Sequence, residues 1–254
     1  MLGKSLSVVV LNHNGKAVLS RCLAAARRSL PSGAELVVVD NGSTDGSGSA
    51  ATTFGARLVR ANNEHQFITG LNTAFTATDR KWVLFLQNDV LLRPETIANL
   101  SESASIFRVN QPLLLNEDGT VNHAGVKYVW PGVGLGLGYG QSSNPLPHLI
   151  PVFSTACFLM HRSVYDHVGP FDIHLAPAYY EDVDYSLRWG ESYLVPKAIA
   201  THLSTFTFHR THSKAQLAAI CQRNRRYVVR KHYRGIDQWM RLRGLDVVGC
   251  GGQY

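Results

Sequence analysis

A chain of 254 residues, 45% hydrophobic and 17% charged, has the make-up of one globular domain or two fused halves and excludes a disordered or fibrous protein. Its formal charge of +7 is unevenly placed: residues 1–200 carry 15 basic and 16 acidic side chains, residues 201–254 carry 10 and 2. That near-neutral body excludes a packer coated in positive charge, while the basic end leaves a local face for an anionic partner.

The first 110 residues alternate short apolar runs with helical patterns. Leu6–Leu11 is a β-branched run of buried-strand length, and Lys16–Leu30 follows with Val18, Leu19, Cys22, Leu23 and Ala26 at helical spacing before Pro31. Glu35–Val39 and Arg57–Arg60 read as strands two and three, with a turn-rich loop over Asp40–Gly48. Gln66–Ala77 is predicted helical, Trp82–Leu86 is strand four, and Pro94 opens a helix to about Phe107. Strand–helix alternation of this kind implies an α/β fold with a largely parallel sheet.

The middle departs from that rhythm. Residues 109–130 read as short strands around the Asn116–Gly119 turn, and Gly132, Gly134, Gly136, Gly138 and Gly140 alternate with apolar residues as a bare-faced strand or a lid would. Their spacing is not that of a phosphate-binding G-x-G-x-x-G loop. Phe153–His161 is predicted to be a strand, Glu181–Trp189 a short helix, and Leu217, Ile220, Cys221, Tyr227 and Val228 place an apolar stripe on a final helix of about twenty residues. The chain thus reads as a body at 1–213, in two parts at 1–110 and 111–213, and a basic helical segment at 214–254 packed on it.

Ligands of open α/β sheets bind beyond the C-terminal ends of the strands. Asn12-His13-Asn14, Asp40-Asn41-Gly42-Ser43-Thr44-Asp45 and Gln87-Asn88-Asp89 occupy three such ends. Singly each is an ordinary turn or cap; on one sheet edge they supply acceptors for a base or ribose and a carboxylate for a metal. A fourth cluster, Tyr179-Tyr180-Glu181-Asp182-Val183-Asp184-Tyr185, sets three acids against one another. A helix N-terminus accounts for acids in general; the density and the flanking aromatics suit a general base beside a sugar-stacking wall.

The stretches S-V-V-V-L-N-H-N-G, E-L-V-V-V-D-N-G-S-T-D-G-S, W-V-L-F-L-Q-N-D-V, A-C-F-L-M-H-R-S-V-Y-D-H-V-G-P-F-D, Y-Y-E-D-V-D-Y-S-L-R and V-P-K-A-I-A-T-H occur in that order over residues 5–202. In this the chain resembles the family-2 inverting glycosyltransferases with the GT-A fold, nearest in pattern to the rhamnosyltransferase-like branch. The resemblance implies a Rossmann-like nucleotide-diphospho-sugar transferase domain with a mixed central sheet. It implies transfer from a UDP- or dTDP-sugar to an acceptor hydroxyl by single displacement. Asp182 would be the base, with Glu181 beside it, Asp184 flanking and Arg188 available to pair. Asp40 would read the nucleotide base, with Asn12, Asn14, Asn41, Asn72 and Asn88 lining the donor site. Asp89, the last acid of the metal motif, and His202 would hold Mg2+ or Mn2+, hard cations suited to oxygen ligands. The acceptor stays open among a glycan, a lipid-linked glycan, a small molecule and a nucleic acid, and an oligomer is allowed.

Two positions depart from the family pattern. Gln87 replaces the first acid of the metal motif, and His65 stands where glycine is frequent; His209 and His212 compete with His202 as ligand. Phe171-Asp172 would shape the acceptor side or form a plain turn, and Trp130, Trp189 and Tyr179 would stack on sugar or pack in the core. The basic run of Arg223, Arg225, Arg226, Arg230, Lys231, Arg234, Arg241 and Arg243 reads as a solvated face, an anionic-membrane contact or, in a competing reading, a nucleic-acid surface. Gln87 also admits a nucleotide-sugar-binding module without catalysis. Cys22, Cys157, Cys221 and Cys250 form no C-x-x-C pair, so free thiols are expected. With no leader pattern and no run of the roughly 18–20 apolar residues that span a bilayer, the expected setting is cytoplasmic, soluble or peripheral on a membrane face.

Overall fold

The computed structural model describes residues 2–61, 67–129, 133–136, 148–204 and 213–242, without the side chains of 128, 129, 133–136, 148 and 233–242. His65, Trp130, His209, His212, Arg243 and Cys250, and Gly132, Gly138 and Gly140 of the glycine run, lie outside these residues, as do the side chains of Arg234 and Arg241.

The chain is α/β, with strands β1 (Leu6–Asn12), β2 (Glu35–Asp40), β3 (Arg57–Arg60) and β4 (Trp82–Gln87) parallel in the order β3-β2-β1-β4. Beyond β4 the sheet continues through β11 (Cys157–His161), β6 (Val109–Leu115), β12 (Ser192–His202) and β10 (His148–Ile150). Strand β11 runs antiparallel to β4, and β12 runs parallel to β6. Short β5 (Val90–Leu92) pairs with β12 and β7 (Val121–His123) with β6, while β8 (Val126–Val129) and β9 (Val133–Gly136) form a separate antiparallel pair. The division at 110/111 falls inside β6, so one sheet runs through both halves.

Every residue of β1 is buried, because helices cover both faces of the sheet. Val9 and Leu11 face one layer with Val37, Val39, Phe85 and Phe158; Leu6, Val8 and Val10 face the other with Leu36, Val38, Leu84 and Leu86. The second layer is closed by α1 (Leu19–Ser29), α2 (Ala50–Thr53) and α4 (Thr96–Glu102), the first by α3 (Phe67–Thr76), α5 (Arg162–Val168), α6 (Glu181–Trp189) and α7 (Lys214–Leu242). Stacked rings join the first layer: Phe75 on Tyr165 at 4.3 Å and Phe171 on Tyr185 at 4.2 Å.

Four elements differ from the expected bounds. Helix α4 stops at Glu102 rather than near Phe107: Asn110 donates to the Ser103 carbonyl (3.1 Å), and Ile106 and Phe107 are exposed. Strand β11 begins at Cys157, not Phe153, because the Ser154 amide is drawn to Gln111 Oε1 (2.7 Å) and the Ala156 amide to Ser154 Oγ (3.2 Å). Strand β12 is 11 residues long, where the sequence marks only Ala198–Thr201 as strand-like, and it shifts register between Val195 and Ile199, where Pro196 has no amide to give the ladder. Helix α7 has 29 residues rather than about twenty, and no helix among the described residues is long and apolar enough to cross a membrane.

Candidate active site

The ends of β1, β2 and β4 meet at Asn12. Its carboxamide is fully buried, accepts from Asn88 Nδ2 at Oδ1 (2.8 Å) and donates from Nδ2 toward Asp40 Oδ1 (3.2 Å), Ser43 Oγ (3.1 Å) and Ser47 Oγ (2.8 Å). Ser43 donates its hydroxyl hydrogen bond to Asp40 Oδ1 and accepts from the Asn14 amide at 2.9 Å. Asn14 Oδ1 in turn accepts from the Thr44 amide (2.9 Å). Asp45 receives the Lys16 and Ser47 amides at 2.8 and 2.9 Å; burial opposes its charge, but these bonds hold its carboxyl below the usual range. The three loops are therefore one hydrogen-bonded rim.

Two glycines let the rim close. A Cβ on Gly15 would lie 2.2 Å from Asn12 Oδ1 and 2.3 Å from Asn88 Nδ2, on the bond that links β1 to the β4 end. One on Gly70 would press Leu11 Cδ1 at 2.7 Å and Asn41 Nδ2 at 3.2 Å, so α3 reaches the rim through a bare face. Asn72 lies two residues on, about 200° around the helix. It points elsewhere, donating to the Phe171 carbonyl (2.9 Å) and accepting from the Phe171 amide (2.8 Å).

Asp89, 6% exposed, follows β4, and β5–β12 pairing brings His202 to it, with Nε2 3.4 Å from Asp89 Oδ1. That is an ion-pair distance rather than a good hydrogen bond. The ring's tautomer follows from its other side. Asn122 spends Nδ2 on Asn116 Oδ1 (2.7 Å) and Ser204 Oγ (3.3 Å), so its Oδ1 accepts from His202 Nδ1 at 3.0 Å. A neutral His202 therefore turns a lone pair toward Asp89. One carboxylate oxygen and one imidazole nitrogen fit a divalent ion of the manganese or magnesium type. No cluster of three or more His, Cys, Asp or Glu suited to a metal occurs among the described residues.

A polar path leads from this corner to the acid cluster. Half-buried His123, its pKa lowered to about 4 by desolvation and then by His202, meets Gln111 Nε2 at 3.1 Å, and Gln111 Oε1 holds the Ser154 amide. The next residue, Thr155, donates to Glu181 Oε1 at 2.8 Å. Thr155 precedes Ala156, whose carbonyl accepts from the Gln87 amide (2.9 Å), so the bond to Glu181 is made next to the end of β4. Glu181 is 5% exposed and its Oε2 has no hydrogen-bond partner among the described residues. Burial pushes both Glu181 and Asp182 above the usual carboxylate range, and the Glu181 charge adds to the rise at Asp182, which keeps partial access to solvent.

Asp184 belongs to a different arrangement. It is fully buried and bonded to Arg188 Nε (2.9 Å), Lys231 Nζ (2.8 Å) and His232 Nε2 (2.7 Å), so it ties α6 to α7. Burial works against its charge, but His232, Lys231 and Arg188 outweigh it and hold the carboxyl below the ordinary value. Phe171 is a core residue on Tyr185, and Asp172 receives Tyr227 (2.7 Å) and Lys231 (2.6 Å). Trp189 lies edge-on to His167 at 6.1 Å and packs against the core. Part of the basic run thus faces inward. Thr155 and Asn122 had no sequence signal: each acts through a partner 26 or 80 positions away.

The model of the family "Glycosyl transferase family 2" matches residues 7–169. An N-acetylglucosaminyl-diphospho-decaprenol L-rhamnosyltransferase of Mycobacterium tuberculosis is 28% identical over 249 residues, covering 82% of this chain and 77% of its own. Among solved structures, GalNAc-T7 with UDP, GalNAc and Mn2+ superposes with a TM-score of 0.64 at 16% identity, covering 80% of this chain and 43% of that one. Staphylococcus aureus TarS 1–349 gives 0.59 at 19%, covering 81% and 62%, and Pyrobaculum calidifontis mannosyltransferase PcManGT with GDP-Man and Mn2+ gives 0.60 at 16%, covering 82% and 59%. The chain spans less than two thirds of each of these three structures. At such identities they carry the fold, GT-A. The family match covers every strand-end loop of the donor rim as well as Asp89 and Thr155, and with it the chain belongs to glycosyl transferase family 2.

Proposed function

We propose that this glycosyltransferase moves a sugar from a UDP- or dTDP-sugar to an acceptor hydroxyl with inversion, using Asp182 as base. The observation that carries the reading is Thr155, which bonds Glu181 one residue before Ala156, whose carbonyl takes the Gln87 amide at the end of β4, linking the β4 end to the acid pair. In this reading the Asn12–Asp40–Ser43 rim receives the nucleotide and Asp40 reads its base. The acceptor hydroxyl gives its proton to Asp182 as its oxygen forms the bond to the anomeric carbon, and the sugar–phosphate bond breaks on the opposite face. Glu181 keeps the pair's proton affinity high, which suits a base working near neutral pH. Asp89 and His202 would hold a divalent ion, which when bound supplies positive charge to a leaving diphosphate.

For the acceptor we infer a lipid-linked sugar diphosphate, on the strength of the mycobacterial relative's name and of Arg226 and Arg230. These two are exposed on α7 and make no ion pair among the described residues. Anionic lipid is the partner those charges fit. Sedimentation with phosphatidylglycerol but not phosphatidylcholine vesicles tests it; salt-sensitive binding to single-stranded DNA without lipid would favour a nucleic-acid partner instead.

The decisive measurement is a thermal-shift screen of UDP- and dTDP-sugars with and without Mn2+, followed by turnover with the best donor. Asp182→Asn should keep nucleotide affinity and lose transfer; wild-type turnover would remove Asp182 from its role. Asp40→Ala should weaken nucleotide binding first. Asp89→Ala and His202→Ala should each abolish the Mn2+-dependent part of the shift, and a chelator that leaves activity intact would end the metal assignment.

A further inference from the structure

The loop that delivers Asp182 to the site is held in shape from outside the family-matched region. Residues Leu175–Tyr180 run into α6 with two consecutive non-glycine residues in the left-handed region, Tyr179 at φ 75° and Tyr180 at φ 71°. Such conformations are disfavoured for residues with a Cβ and persist only where surrounding structure over-determines them. The over-determination comes from Asn224 on α7. It is 0% exposed, and its Nδ2 reaches three main-chain carbonyls of this loop: Leu175 (2.7 Å), Ala178 (2.9 Å) and Tyr179 (2.9 Å). Two hydrogens serve three acceptors, so at least one bond is shared. The amide cannot be turned round: carbonyls only accept, and Arg223 Nε, which only donates, takes Oδ1 at 2.9 Å. Arg223 also bonds the Ala176 carbonyl. From the other side the Phe67 amide, at the start of α3, bonds the Pro177 carbonyl at 3.1 Å.

We infer that Asn224 is a positioning residue for the transfer reaction: it fixes the left-handed Tyr179–Tyr180 turn and so sets where the Asp182 carboxyl stands. This rests on Asp182 being the base. The alternative, a helix glued on for stability alone, would be served by the apolar contacts of Leu217 and Val228, both buried, and by the Asp172 and Asp184 ion pairs. None of those grips the backbone between Leu175 and Tyr180. A buried amide fanned onto three carbonyls does, and it costs more to leave unmade than an apolar contact.

The test compares the full chain, Asn224→Ala, Asp182→Asn and the double variant, with dTDP-L-rhamnose as donor and a short-chain prenyl-diphospho-N-acetylglucosamine as acceptor. Asn224→Ala should lower kcat by about 10²-fold, as an ångström-scale misplacement does, with the calorimetric affinity for dTDP unchanged. In the Asp182→Asn background it should add almost nothing to the loss. A wild-type kcat, or an equal fold-loss in both backgrounds, would overturn the inference. A second readout needs no substrate: in carboxyl 13C NMR, Asn224→Ala should move the Asp182 titration toward the ordinary carboxylate value while Asp184 stays put, and an unmoved Asp182 titration overturns the clamp. The two readings fail separately. If Asp182→Asn keeps wild-type turnover the base assignment falls, and the titration still judges whether Asn224 sets the Asp182 environment. Should Asn224→Ala fail to fold, Arg223→Ala removes the exposed half of the grip, with a smaller kcat loss in the same direction expected; wild-type kcat and titration in that variant overturn the inference equally.

Discussion

Helix α6 carries two kinds of acid within one turn. Glu181 and Asp182 are surrounded by protein with few donors, and burial keeps protons on them above the usual carboxylate range. Asp184, deeper still, meets Arg188, Lys231 and His232 and is held ionised. Burial is common to all three; the supply of partners decides the sign of the shift. The difference separates roles as well. An acid with paired neighbours on every side is a joint between helices, whereas the under-partnered pair is the one to which we assign the base.

The contrast breaks hardest at Asp182. Asp182→Asn should reduce turnover by about 10²–10⁴-fold, the usual worth of a positioned base, without lowering the melting temperature, since the change removes a charge that burial disfavours. A variant that loses activity and melts earlier would put Asp182 in the same class as Asp184. Asp184→Asn should do the reverse. Breaking a buried pair by removing one partner costs about 3–5 kcal/mol, so chemical denaturation should show a large stability loss. Whatever remains folded should bind nucleotide normally, because the donor rim does not touch α7 through any described hydrogen bond or ion pair.

How much of this was legible in the sequence follows the same division. The strands of the donor half were readable because buried β-branched runs such as Leu6–Leu11 and Glu35–Val39 carry their own signal, and the rim residues stood at their ends. The acid pair was readable as a motif, though not the fact that Asp184 faces away from its neighbours. What stayed hidden depends on long-range pairing. Thr155, Asn122 and Asn224 are ordinary polar residues whose meaning comes from partners 26 to 80 positions off. Lys231 looked like one of a row of solvent-facing charges, yet it bridges Asp172 and Asp184. Asn72 sat in the right motif, but helical rotation turned it to Phe171. Strand β12 was half missed because Pro196 interrupts the run that would have announced it.

Lys231 offers a gentler probe of the joint. At 30% side-chain exposure its ion pairs are partly screened, so Lys231→Ala should cost about 1 kcal/mol. Hydrogen exchange should quicken along the described part of α7 while the β1–β4 amides keep their protection. Uniform quickening across the sheet would mean that α7 is no separate joint.

The smallest and most specific expectation concerns pH, because the two acid sets must act with opposite sign. Asp172 and Asp184 have depressed values in the fold: burial opposes, but hydrogen bonds from Lys231 and Tyr227 to Asp172 and from His232 and Lys231 to Asp184 prevail. Their contribution is therefore full above the unfolded value of about 4 and is lost as pH falls below it. Glu181 and Asp182 have raised values, Asp182 up to about 8. The stability they lend is full below about pH 4 and drains away as pH rises toward the folded value. Melting temperatures between pH 3 and pH 8 for wild type, Asp184→Asn and Asp182→Asn separate the two. The wild-type advantage over Asp184→Asn should shrink on the acid side of pH 4, and the gap between wild type and Asp182→Asn should widen in the variant's favour from pH 4 to pH 8. If both differences ran in the same direction, the acids of α6 would share one environment and the split between joint and site would fail.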